Sequence, residues 1–302
     1  MKKIFLIFAI CFGSVSGYSQ LVEVNSIKEI PTINAEYALI SPSGEYILGT
    51  DGSRNGLQKF DLKTGELVTI TNAQGAGYDP KILEDGTIIF RETSFKGKLK
   101  ETSLNSLNPQ TKASSLLISP TRDLNGVNIV GNAVYAVKDG KLTTKAMTKT
   151  ATIEKSTPVM SIQNGQLMMT KNGKTFIFSP NGQNEHYIWP SVSPDGSKVL
   201  YYVGGTGAFV CNLDGSNVTP IGKIRAPKWY NSEVVIGMND KDNGEYTTSS
   251  SIIATSIDGA TTQTLTDSSV IAMYPSSSMQ GDKILFSTPE GKNYIINVNV
   301  KK

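Results

Sequence analysis

Short apolar or alternating runs recur along the whole chain, each bounded by Gly, Pro, Asn or Asp, and no window of comparable length carries helical periodicity. Strands are therefore expected almost everywhere. The clearest stretch is Ile188–Gly222, which reads as four strands: Ile188–Ser193, Val199–Val203, Ala208–Leu213 and Val218–Ile221. Ser193-Pro194-Asp195-Gly196 joins the first two and has the chemistry of a tight turn. Ser193 can bond the backbone ahead, Pro194 presets φ, Asp195 tolerates the bend, and Gly196 takes a left-handed conformation.

Aligning the chain on Gly196 finds the same turn, in weaker form, at Ser41–Gly44, Leu83–Gly86, Ile129–Gly131, Ile162–Gly165, Tyr230–Glu233 and Ser278–Gly281, spaced by 31 to 48 residues. A β-rich run follows each, from Tyr46–Thr50 to Lys283–Ser287, then a third, from Leu57–Leu62 to Asn293–Val298, and in several units a short threonine-rich fourth such as Leu67–Thr71. Thr64-Gly65, Asn181-Gly182, Asp214-Gly215 and Asp258-Gly259 supply positive φ between third and fourth strands, which is sufficient reason for their presence.

A four-stranded unit cannot bury both faces alone, so a repeat of this kind must pack against its copies. The expected fold is all-β, a single β-propeller of four-stranded blades. Seven blades are expected, with six the alternative. The last unit ends after its third strand, and Leu21–Ile30 is an otherwise unassigned strand-like segment. The N-terminal strand should complete the last blade and remove an exposed edge.

Residues 1–20 read as an export signal: Lys2 and Lys3, a short apolar run Ile4–Phe12, then small and polar residues. The propeller domain is expected over 21–302, in the periplasm or outside the cell. Without the signal, 27 basic residues face 26 acidic ones. That balance, with no polybasic stripe, excludes the usual nucleic-acid footprint. No later run is long enough for a membrane helix, so stable membrane insertion is not expected. Cys211 alone would remain, which leaves no intramolecular disulfide; it reads as a small buried hydrophobe in an alternating strand.

The SPDG turn preceded by Trp189-Pro190-Ser191-Val192 and followed by Asn212-Leu213-Asp214-Gly215 resembles the TolB-type, WD40-like repeat of exported bacterial propellers. The resemblance implies one of three roles: a scaffold binding envelope partners, a gating domain of a serine peptidase, or a polysaccharide lyase. The peptidase needs a separate hydrolase domain and a G-x-S-x-G elbow, and the chain has neither. A histidine-rich metal site cannot be built from one histidine, His186. Asp240–Glu245 alternates carboxylates with a glycine but departs from a calcium loop and reads as a solvated link. No cofactor and no metal are expected.

Seven residues before the turn glycines stand Tyr37, Asp79, Trp189 and Tyr274, the last three each followed by proline, with Ala226-Pro227 at the matching place in the sixth unit. In a propeller these positions ring the mouth of the central channel. Tyr78, His186, Tyr187, Arg225 and Lys228 lie close by in sequence. Aromatic faces with a few cations could stack sugars or grip a peptide. The expected function is non-enzymatic binding of an envelope protein or glycan by a monomeric propeller; the alternative is a metal-independent glycan-cleaving enzyme with a tyrosine or lysine base in the channel.

Overall fold

The structure, a computed structural model, describes residues 20–31 and 35–299; the expected export signal, apart from Gln20, lies outside them. It contains seven antiparallel sheets arranged as seven blades. Blade 1 begins with the inner strand Tyr37–Ile40, blade 2 with Lys81–Ile82, blade 3 with Leu124–Val130 and blade 4 with Val159–Gln163. Blades 5, 6 and 7 begin with Tyr187–Val192, Arg225–Trp229 and Met273–Ser277.

The second strand of each blade explains the apolar runs. In blade 1 every residue of Tyr46–Thr50 is buried, because both faces of the blade are covered. Tyr46 and Leu48 pack on blade 2 with Ile82, Ile88 and Phe90, while Ile47 points the other way, onto Leu285 and Ile295 of blade 7. This period-two division repeats around the molecule. One apolar cluster joins each blade to the next, and the last returns from blade 7 to blade 1. The ring is thus closed by packing at seven interfaces.

It is also closed by hydrogen bonds. Glu23–Ile30 pairs antiparallel with Asn293–Asn299 and completes blade 7 in the order expected from the sequence. Gln263 of blade 6 clamps the start of this segment. Its Oε1 accepts from the Leu21 and Val22 N–H groups at 2.9 and 3.0 Å, and its Nε2 donates to the Val22 carbonyl at 2.7 Å.

Two departures have local causes. Blades 3 and 4 each have three hydrogen-bonded strands, whereas the other five have four. The outer positions there fall on 147–158, rich in polar residues, and 178–186, interrupted by Pro180 and Gly182, so no β-ladder forms. Conversely, blades 2 and 6 have long hairpins, Ile88–Lys96 with Leu99–Leu107 and Val234–Asp242 with Thr247–Ser256. The expected link at Asp240–Glu245 is therefore mostly strand and turn, with Asp240 opposite Ser250.

Candidate functional site at the channel mouth

The rim that carries the links into the inner strands opens into a cavity of about 650 Å³ on the ring axis. Its wall is built by a repeated backbone device. Asp79, Trp189, Ala226 and Tyr274 have φ of 52°, 52°, 47° and 53°, and Gly126 of blade 3 has 54°. In blades 3, 5, 6 and 7 the strand register slips at these residues, so the left-handed residue is the start of a bulge. Such a conformation costs a non-glycine residue roughly 1–3 kcal/mol and persists only where the surroundings enforce it. Arg54, in the loop between the second and third strands of blade 1, is also left-handed at 57°. All six line the cavity.

The aromatic wall lies on blades 1, 2, 5 and 7. The Tyr37 and Tyr274 rings sit 5.0 Å apart. The Arg54 guanidinium covers Tyr37 at 4.1 Å and reaches Tyr78 at 5.4 Å; Arg91 reaches Tyr78 from 5.6 Å. Tyr78 is nevertheless 55% exposed. Trp189 meets Tyr202 edge-on at 5.5 Å. Burial, followed by the adjacent Tyr37, pushes the Tyr274 phenol above its ordinary pKa.

The charged wall centres on Asp79. Lys81 reaches its carboxylate at 2.6 Å and Arg91 stands at 4.0 Å. Arg91 also donates to the Tyr78 carbonyl at 3.1 Å, fixing the bend that presents Asp79. Enclosure in the channel would raise the Asp79 pKa, but Lys81, Lys228 and Arg91 outweigh it and hold the carboxyl below its ordinary value. Lys228, from blade 6, is open to channel water yet walled in by protein. That enclosure, then the charge of Lys81, lowers its pKa, against the opposing pull of Asp79. Four cations, Arg54, Lys81, Arg91 and Lys228, thus face one carboxylate on the cavity wall. Neither Arg54 nor Lys228 has an ion pair within 4.0 Å among the described residues. Blades 3 and 4 contribute uncharged residues such as Asn125, Asn128 and Ser161.

Of the residues singled out in the sequence, Tyr37, Tyr78, Asp79, Trp189, Lys228 and Tyr274 share this cavity. Arg225 lies beside it, its guanidinium paired with the buried Asp240 carboxylate at 2.5 Å. His186 is exposed outside the cavity lining, and Tyr187 is fully buried between blades 4 and 5. The Tyr187 hydroxyl donates to the Gly182 carbonyl at 2.9 Å and accepts from the Asn181 N–H at 3.0 Å, so it braces a loop. Arg54, Lys81 and Arg91 were not visible as site residues. Arg91 had a signal: it ends the apolar run Ile88–Phe90 with a charge on a doubly covered strand. No group of three or more potential metal ligands occurs among the described residues.

No family model matches the chain, and no curated protein matches it. Solved structures do. The WD40 repeats of RRP9 superpose with a TM-score of 0.60 at 9% identity, over 92% of this chain and 99% of that one. A chain described as a TolB, from Agrobacterium tumefaciens, superposes at 0.56 and 16% identity, over 89% and 91%. The fold is that of TolB-like and WD40-repeat propellers. An oligogalacturonate lyase in complex with manganese reaches 0.48 at 12% identity, over 87% and 76%. At these identities the likeness concerns the fold alone.

Proposed function

We propose that the protein is an exported, non-enzymatic propeller that binds a protein or glycan partner of the cell envelope through its channel-mouth face. The observation that carries this reading is the convergence of four aromatic and five charged side chains from five blades on one cavity. The strained residues that build the mouth add support, because backbone strain of this kind concentrates where ligands bind. The cavity also falls within the roughly 300–1,000 Å³ usual for ligand sites.

Capture from an envelope extract tests it. A specific partner should be retained by the wild-type protein and retained several-fold less after Trp189→Ala or Tyr274→Ala. Equal retention by all three removes the mouth from the function. The lowered Lys228 pKa supports a second reading, a glycan-cleaving enzyme with Lys228 as base. Release of unsaturated products or reducing ends from acidic polysaccharides, abolished in Lys228→Met, would establish that reading instead.

A further inference from the structure

The cavity's charge is lopsided, and the lopsidedness specifies a ligand. Resting on the reading of the mouth as a binding face, we infer that the Lys81, Arg91 and Lys228 cluster is a subsite for the carboxylates of an acidic sugar chain, with a sugar ring laid against Tyr78.

Asp79 shows how a carboxylate sits there. Lys81 grips it at 2.6 Å and Arg91 approaches at 4.0 Å, while the Asp79 side chain remains 44% exposed. One carboxylate facing three cations leaves about two positive charges uncompensated, and Arg54 adds another on the same wall. In an enclosed channel such a field attracts anions more strongly than the same charges would on a convex surface. Lys81 reaches the cavity from blade 2 and Lys228 from blade 6, and a second carboxylate is proposed to enter between them. Asp79 thus acts as a built-in partial counter-ion for a cluster that has capacity for more.

The neighbouring groups favour a sugar over a peptide. Tyr78 is a large, exposed aromatic face placed directly beside the cations. It offers the apolar face of a pyranose a stacking surface, and the Asn125 and Asn128 amides of the neighbouring blade 3 can serve hydroxyls. A peptide bound in extended form would instead use a straight strand edge. Inner strands of blades 3, 5, 6 and 7 are bulged at the mouth and present none there.

The test is calorimetric titration of the purified protein with three probes: a uronic acid trisaccharide, maltotriose and a hexapeptide of glutamates. The uronate trisaccharide is expected to bind best, several-fold more weakly when salt is raised from about 50 to 200 mM. Lys81→Met and Lys228→Met should each weaken it at least ten-fold. Asp79→Asn should tighten it several-fold, since Asn keeps the shape and tolerates the left-handed backbone. Thermal melting confirms that each variant is folded, and Lys63→Met, on the opposite rim, should bind like wild type. Equal binding of maltotriose overturns the acidic specificity. Preference for the glutamate peptide overturns the sugar. No binding of the uronate to folded protein overturns the inference outright, whereas partner capture lost in Trp189→Ala would still leave the binding face standing.

Discussion

The two rims of the ring use the same residue types for opposite ends. On the turn rim, Ser193 Oγ accepts from the Ser197 and Lys198 N–H groups at 3.1 and 2.9 Å and donates to Asp195 at 2.5 Å. In blade 1 Ser41 Oγ likewise accepts from two N–H groups, of Glu45 and Tyr46, and in blade 7 Ser278 Oγ accepts from the Lys283 N–H and donates to Asp282. Tyrosines fasten one blade to the turn of the next: Tyr46 to the Gly86 carbonyl at 3.2 Å, and Tyr230 to that of Gly281 at 2.6 Å. These serine and tyrosine hydroxyls are engaged locally. At the mouth, by contrast, tyrosine faces and cations are turned toward open space and the backbone is strained. The motif that betrays the fold therefore lies on the rim away from the candidate site, and searching for function in Asp195 would look at the wrong end.

Two glycines, one near each rim, show different requirements. Gly237, facing the bulge of blade 6, has no room for a side chain: a Cβ would lie 2.2 Å from Ile224 and 3.0 Å from the Arg225 carbonyl. Gly196 has φ of 73° and nothing within 4 Å. Gly237 is required by contact, Gly196 by dihedral.

That contrast can be broken by experiment. The largest effect is expected from Gly237→Ala, which overpacks the bulge and should cost about 1–3 kcal/mol, toward the upper end. Its melting temperature should fall by several degrees and partner binding should weaken with it. Next come Ser193→Ala and Gly196→Ala on the turn rim, each costing about 1 kcal/mol in chemical denaturation while binding is untouched. If either changes binding, the rims are not separate. A smaller effect, of opposite sign, is expected at Ala226, held at φ 47°. Ala226→Gly should raise stability by up to about 1 kcal/mol. Unchanged or lower stability would mean that the bulge is not strained.

The smallest effect concerns salt. Asp195, Asp214 and Asp258 are held below the ordinary carboxylate pKa first by serine hydroxyls and then by backbone N–H groups. Asp79 is held low by cations, against its enclosure. Raising ionic strength should move the Asp79 titration back toward 3.8 in NMR and leave the turn aspartates nearly still. Because these pKa values are depressed on folding, their contribution to stability is present above about pH 4 and lost as pH falls through the folded values.

Most of the ring was legible because blade strands are buried on both faces and must read as apolar runs between turn residues. Tyr46–Thr50 and Lys283–Ser287 match their expected limits, and the N-terminal closure follows from an incomplete last unit. Counting from turn glycines found Asp79, Trp189 and Tyr274. It missed Gly126, which lies five residues before Gly131, because blade 3 turns through a shorter hairpin with Val130 opposite Ala133. Tyr187 shows the limit of adjacency: next-but-one to Trp189 along a strand, it shares the strand but not the environment, being sunk between blades. Cys211 is buried as expected, and that burial pushes its thiol up to about 12. The cationic cluster was hidden because Lys81, Arg91 and Lys228 come from two blades, and only the curvature of the ring brings them together.

The closing strand pair has a mechanical consequence. Its register sets Glu23 opposite Asn299, so both ends of the paired segment leave from one corner of blade 7. Tension applied between them loads the ladder one rung at a time, as in a zipper, instead of shearing all rungs at once. A propeller tethered by both ends would open at this seam first, with the inner strands of all seven blades still packed.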